Sequence, residues 1–293
     1  MRIGERGFSR SHVPFYRIPW SRVSRVLLYL VLVLAVPTHA QQRWTPGCSP
    51  NMAMFQAGEE LTYEVSYLGI GLGTITSRIV AVDSMPDGIR VSAEGLIRTY
   101  RGVPFVTLNT LFQTRIGDSL ASVGFRNKEY IVEDSAFKHI EYVYKPRLDV
   151  VYINEYIENH AGTEKRDTLD LEGKKWQDGL SLLFYARAFA HAKCTHHVPV
   201  LMYRSKATTK IHFGSGRDNI EIDALKYDVR TRKLEGETGF TGIFGLTGGF
   251  EGWFSDDSAA IPITAKMHVL IGSVRIELIK WKRKGWRPPR YDS

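Results

Sequence analysis

The chain has only two cysteines, Cys48 and Cys194, and after its first 40 residues no apolar run approaches the ~18 residues needed to span a bilayer. A polytopic membrane protein is thereby excluded. With 43% hydrophobic and 24% charged residues, the composition also leaves no room for wholesale disorder or a collagen-like repeat. No internal repeat recurs at a fixed period, and no Pro/Ser linker divides residues 50–281, so one domain accounts for the body of the chain. Catalytic motifs are missing as well. Neither G-x-S-x-G nor S-x-x-K surrounds Ser181, and nucleophilic catalysis has no anchor. The Gly69-Ile70-Gly71-Leu72-Gly73 run lacks the G-x-G-x-x-G spacing of a phosphate loop and lies between strand patterns, which marks it as a bent hairpin.

The formal charge of +8 suggests nucleic acid until it is divided along the chain. Residues 1–40 hold six Arg and one Glu, leaving 33 Lys+Arg against 30 Asp+Glu in the rest. The basic excess is therefore mostly N-terminal. Arg2 to Arg25 precede an apolar run from Val26 to Val36 that closes with Pro37-Thr38-His39-Ala40. This is the order of a signal peptide, with cleavage expected before Gln41. Eleven apolar residues at ~1.5 Å each fall well short of a ~30 Å hydrocarbon core. Export to the periplasm follows, where nucleic acid is not an expected partner. Thr45-Pro46-Gly47 before Cys48 lacks the aliphatic residue of a lipobox, which favours pairing of Cys48 with Cys194 over lipidation. Residues 41–54 then form an N-terminal extension.

Beyond residue 55 the apolar pattern has period two. Leu61, Tyr63, Val65 and Tyr67 alternate with Thr62, Glu64 and Ser66, as in a half-buried strand. Similar runs near 74–82, 88–97, 105–115, 120–133, 139–145, 148–157, 197–213, 218–230, 250–256, 261–270 and 273–281 bring the expected number to about twelve. Their short, even spacing favours antiparallel hairpins. Apolar parity changes between Ala224 and Leu225 and between Ile271 and Val274, which predicts bulged, curved strands. One helix is predicted over 178–192. From Asp178 as N-cap, Leu182, Tyr185, Ala186, Phe189 and Ala190 follow helical spacing, while Leu183, Phe184 and Ala188 cover most of the remaining surface. A helix apolar on all sides must be buried. The fold class is mainly β: a curved antiparallel sheet or incomplete β-barrel with one buried α-helix on its concave side.

Several clusters offer chemistry. His191, Cys194, His196 and His197 have ligand types that suit zinc, but adjacent strand residues point to opposite faces and a disulfide would consume the thiolate, so no metal is expected. Asp256 and Asp257 are either a carboxylate pair for acid–base work or side-chain caps of a turn. Arg187 needs a carboxylate, a carbonyl or water to satisfy its guanidinium on an apolar helix, which favours structural pairing over its alternative role as a ligand anchor, and His191 one turn on shares its stripe. Residues 238–250 form a charge-free Gly/Phe segment, either a loop over a greasy ligand or a hairpin whose Phe240, Ile243 and Phe244 fill the core. The 282–293 tail, with its cations and Trp286, suits anionic headgroups or remains solvated.

Three separated signatures together resemble the bacterial exported family DUF3108, a domain of unknown function. The first is Phe55-x-x-Gly58-Glu59-x-Leu61-x-Tyr63-x-Val65 with the Gly69–Gly73 hairpin. The second is Asp178 with Ser181-Leu182-Leu183-Phe184-Tyr185-Ala186-Arg187. The third is Trp253-Phe254-Ser255-Asp256-Asp257, then Ile261-Pro262 and Gly272-Ser273-Val274 leading into Glu277-Leu278. The resemblance covers residues 55–281 and implies an exported, β-rich cell-envelope protein without an established activity or cofactor. The architecture is also loosely similar to half-barrel periplasmic lipoprotein carriers. The expectation is a non-enzymatic protein that binds a lipid-like envelope molecule on the concave face, with Arg187, Tyr185 and Trp253 as contacts. The alternatives are an assembly factor for surface polysaccharide or outer-membrane machinery, with peripheral membrane contact through the tail, and an envelope hydrolase using Asp256 and Asp257.

Overall fold

The structure is a computed structural model that describes residues 47–86, 88–103, 107–132, 135–240, 248–269 and 272–291. The expected signal segment, residues 41–46 of the extension, and Ile243 and Phe244 of the Gly/Phe segment lie outside them. Fourteen strands are described: β1 (Glu60–Tyr67), β2 (Ile70–Met85), β3 (Gly88–Thr99), β4 (Asn109–Ile116), β5 (Ser122–Ile131), β6 (Ala136–Lys145), β7 (Val150–Ile157) and β8 (Lys165–Asp170) precede the helix α1 (Ser181–Ala188). After it come β9 (Thr195–Met202), β10 (Ser205–Ile220), β11 (Val229–Thr238), β12 (Gly248–Ser255), β13 (Pro262–His268) and β14 (Ser273–Lys282). They build one antiparallel sheet in the order β8-β7-β6-β5-β4-β3-β2-β1-β14-β13-β12-β11-β10-β9. Among the described residues the mainly β class with a single buried α-helix is as the strand alternation and the one helical spacing predict, with the helix shorter, Ser181–Ala188, than the expected 178–192.

The strand count departs from expectation for local reasons. β8 reads Lys-Arg-Asp-Thr-Leu-Asp, so it carries no apolar period; charges on a short edge strand also discourage pairing with another chain. The 197–213 run is a hairpin, β9 and β10, whose turn lacks glycine and proline. Tyr203 takes the left-handed conformation there, φ 55°. The first parity change is not a bulge inside a strand, because the chain leaves the ladder between Ile220 and Val229. Ile271 of the second lies outside the described residues; Gly272 beside it takes φ 78°. Register shifts occur elsewhere, as at Ile79/Ala81 and Phe213/Arg217.

The helix lies on the concave side. Phe184 and Phe189 are buried among Ile79, Val91, Ile211 and Phe213, residues from strands on both halves of the sheet. Gly95 on β3 makes room for it, because a Cβ there would stand 3.2 Å from Leu180 Cδ1. The carboxylate of the fully buried Asp178 accepts the amides of Leu180 and Ser181 at 2.8 Å each and the hydroxyl of Thr114 at 2.6 Å. That satisfies two orphan donors and ties the helix start to β4. Burial raises the Asp178 pKa, against the lowering effect of these hydrogen bonds.

The sheet does not close through a strand ladder. Its last gap is bridged by side chains and one connecting segment. Tyr142 donates to the Tyr203 carbonyl at 2.8 Å, Arg204 pairs with Glu155 at 2.5 Å, and Lys206 pairs with Glu172 at 2.6 Å. Gln177 pairs with Val200 as a parallel bridge, covering β9, while Ser122 donates to the Trp176 carbonyl at 3.0 Å.

Candidate functional site

On one flank of α1 the hollow is open. A cavity of about 300 Å³ separates Leu182, Leu183 and Ala186 from Phe250, Phe254 and Met267 of the opposing sheet. A second, of about 180 Å³, lies toward Phe112, Phe125 and Ile140. Ile75, Ile97, Gly179, Leu183 and Met202 border both, so the two spaces adjoin across Leu183. Among the described residues the walls carry no Lys, Arg or His; apart from Thr238 and Glu251, which pairs with Lys233, the larger space is lined by apolar side chains and glycine. Phe240 also lines the larger space, which gives the described part of the Gly/Phe segment a place in its wall.

Arg187 is not among these residues. Its guanidinium is 1% exposed and faces the other way, where Nη1 and Nη2 donate to Glu59 Oε1 and Oε2 at 2.5 and 2.8 Å. Nε and Nη2 also donate to the Ala259 carbonyl at 3.0 and 2.9 Å. Arg283 joins the same carboxylate and donates to the Met54 carbonyl at 2.8 Å. The expected ligand contact is thus a structural knot, because every donor of Arg187 directed at these groups is already engaged. Glu59 precedes β1, Arg187 sits on α1 and Ala259 follows the Asp256-Asp257 turn, so the knot joins the three sequence signatures.

Tyr185 also misses the cavities. Its hydroxyl shares a 2.8 Å hydrogen bond with His196 Nδ1, and its ring packs on Phe189 with centroids 4.9 Å apart. Burial pushes the phenol up to about 12 and the His196 imidazole below its usual value. Cys48 and Cys194 form a disulfide, and His196 Nε2 lies 2.8 Å from Cys48 Sγ. Both sulfurs are bonded to each other, so the Cys48–Cys194–His196 group offers no thiolate to a cation. His197, next on β9, is exposed, and His191 instead faces Asp256 at 3.6 Å.

Trp253 lies on the convex face. Its ladder partner Lys233 stands next to Leu234, which packs in the core around the helix, so Lys233 and Trp253 share the opposite face. Its indole donates to Asp218 at 2.9 Å, while Lys233 and Lys266 cover the ring at 5.4 and 5.3 Å from the centroid.

Asp256 and Asp257 have separate tasks. Asp256 accepts from Arg232 at 2.7 Å and lies 3.2 Å from Arg217. Partial burial would raise its pKa, but the Arg232 hydrogen bond and the two guanidinium charges outweigh it and hold the carboxyl below its usual range. Asp257 accepts from the Ala259 and Ala260 amides at 2.9 and 3.2 Å, capping the turn, and from the Trp286 indole at 2.8 Å. A pair engaged in this way has neither a shared proton nor a shared direction for acid–base chemistry. The tail after β14 is not frayed: Arg230 donates to the Pro289 carbonyl at 2.9 Å and Tyr291 to the Asp228 carbonyl at 2.9 Å.

With the architecture and the three meeting signatures established, the match over residues 62–279 to the model of DUF3108, a protein of unknown function, assigns the family. The chain belongs to DUF3108. No curated protein matches the sequence. Among solved structures, this DUF3108 chain is similar to a β-barrel-like DUF1849 protein from Brucella abortus, with 12% identity over 84% of this chain and 99% of that one and a TM-score of 0.49. It is also similar to a Bacteroides fragilis protein described as exported, with a YmcC-like fold, at 12% identity, 78% and 97% coverage and a TM-score of 0.34. A Parabacteroides distasonis protein described as a lipoprotein matches at 12% identity, 80% and 99% coverage and a TM-score of 0.31. In this DUF3108 protein the signature residues hold the helix across the sheet and, through Val65, Leu182, Leu183, Ala186, Phe254 and Val274, supply part of the larger cavity's wall. The wall residues Phe112, Phe240, Phe250 and Met267 lie outside every signature. Their only signal is apolar periodicity, which wall and filling share.

Proposed function

We propose that this protein is an exported, non-enzymatic envelope protein that holds a long-chain, lipid-like molecule in the hollow between α1 and the sheet. The observation that carries this reading is the cavity of about 300 Å³ with mostly apolar walls, left open beside a helix pinned by a buried ion pair. That volume lies at the lower end of ordinary ligand pockets, about 300–1,000 Å³. Each buried methylene contributes about 0.8 kcal/mol, so lengthening the chain by two carbons raises affinity about tenfold until the hollow is full.

The disulfide fits an oxidising compartment beyond the cytoplasmic membrane. Among the described residues no helix is long and apolar enough to cross a membrane. Loading from a lipid surface is favoured by the β1–β2 turn, where Leu68 and Ile70 are 68% and 67% exposed, next to the Val65 and Val274 end of the hollow. The sheet edges suit a protein partner less well, since β8 is short and charged and Gln177 covers β9.

The test is organic extraction of the purified protein followed by mass spectrometry. A stoichiometric long-chain compound is expected in the wild type and its loss in Leu183→Trp, which fills the junction of the two spaces. Protein recovered empty, and unable to take up any alkyl compound, overturns the reading.

A further inference from the structure

Asn127 stands on β5 between Phe112 of β4 and Ile140 of β6, and with them lines the smaller space. It is 4% exposed, and its Oδ1 is sealed from solvent without a hydrogen-bond partner. Other buried side-chain atoms lack partners too, but among the described residues Asn127 is the one of this set that lines either apolar cavity. The neighbouring Tyr142 hydroxyl is already used, donating to the Tyr203 carbonyl. A leucine of nearly equal size would serve a purely hydrocarbon cargo without leaving a buried acceptor unsatisfied, which is costly.

Resting on the carrier reading above, we infer that Asn127 is a polar anchor for the cargo, and that the cargo is a long-chain compound bearing an uncharged hydroxyl or secondary amide. Such groups both donate and accept, so they match the carboxamide whichever way its oxygen and nitrogen are turned. Among the described residues a charged headgroup at this position finds no lining cation to balance it. The chain then runs past Leu183 into the larger space, and the hydrogen bond sets its direction.

The experiment compares 1-dodecanol with 1-chlorododecane, equal in chain length but different in the ability to donate, by displacement of a fluorescent apolar dye from the full mature chain. Wild type is expected to prefer dodecanol by about tenfold, the worth of one buried hydrogen bond. Asn127→Leu is expected to lose that preference while keeping its affinity for chlorododecane, with an unchanged near-ultraviolet circular dichroism spectrum. If wild type binds both compounds equally, the anchor is overturned and the carrier reading stands. If it binds neither, both fail. Should Asn127→Leu not fold, Asn127→Ala is expected to show the same loss of preference, and a preference retained in a folded variant overturns the anchor.

Discussion

Glu59 and Arg187, 128 residues apart in sequence, form a two-pronged ion pair at 2.5 and 2.8 Å with each side chain 1% exposed. The pair fastens α1 to the segment before β1, and Arg283 brings the end of the chain to the same carboxylate. Glu59→Gln leaves two guanidinium groups buried or nearly so without their countercharge. A loss of about 3–5 kcal/mol in unfolding free energy is expected, read from the urea midpoint. Arg187→Lys should recover little of it when compared with Arg187→Ala, because one ammonium cannot serve both carboxylate oxygens and the Ala259 carbonyl.

The Cys48–Cys194 bond closes a loop with a sequence separation of 146 residues. In the chain-entropy view such a loop stabilises by roughly 4–5 kcal/mol. Cys48→Ser combined with Cys194→Ser, or reduction by dithiothreitol, should lower the urea midpoint accordingly. A midpoint that stays put would show that the reduced, unfolded chain is already constrained near this pair.

Burial holds the imidazoles of His191 and His196 below their usual value of 6.5, and the charge of Arg232 adds to the effect at His191. The unfolded chain therefore takes up protons first as pH falls. Stability from these groups is full above about pH 6.5 and is lost as pH drops through their folded values. Unfolding free energy should be lower at pH 5.5 than at pH 7.5, with a smaller drop in the His191→Gln, His196→Gln double variant. Asp178, whose folded pKa is raised, works with the opposite sign, so the comparison between wild type and double variant isolates the histidines.

Asp257 secures both its own turn and Trp286 of the tail. Asp257→Ala should cost roughly 2 kcal/mol, expected from hydrogen bonds to a charged acceptor. It should also expose residues 283–291 to limited proteolysis and shift Trp286 fluorescence to the red. Resistance to cleavage equal to wild type would mean that the Arg283 and Pro289 contacts hold the tail unaided.

Leu68→Ser with Ile70→Ser removes two exposed apolar tips without touching the core. Uptake of an alkyl cargo from phosphatidylglycerol vesicles should slow severalfold, while binding of the same cargo from solution is unchanged. Equal uptake rates would detach the turn from loading.

The sequence alone determined the strand alternation, the burial of α1 and the family signatures, because each is a local regularity: period two, period 3.6, or a short motif. It also showed that Arg187 needed a partner, without saying which. Only the tertiary structure decided that the partner is Glu59, that Trp253 faces the convex side, and that the tail docks beside Asp228. It alone separated the apolar residues that fill the hollow from those that merely wall it, and left Asn127 facing the space unpartnered. These outcomes depend on ladder register and on how far the sheet curls before Tyr142 meets Tyr203, quantities set by contacts among residues far apart in the chain. Hydrophobicity reports that a side chain leaves water; it does not report whether another side chain meets it there.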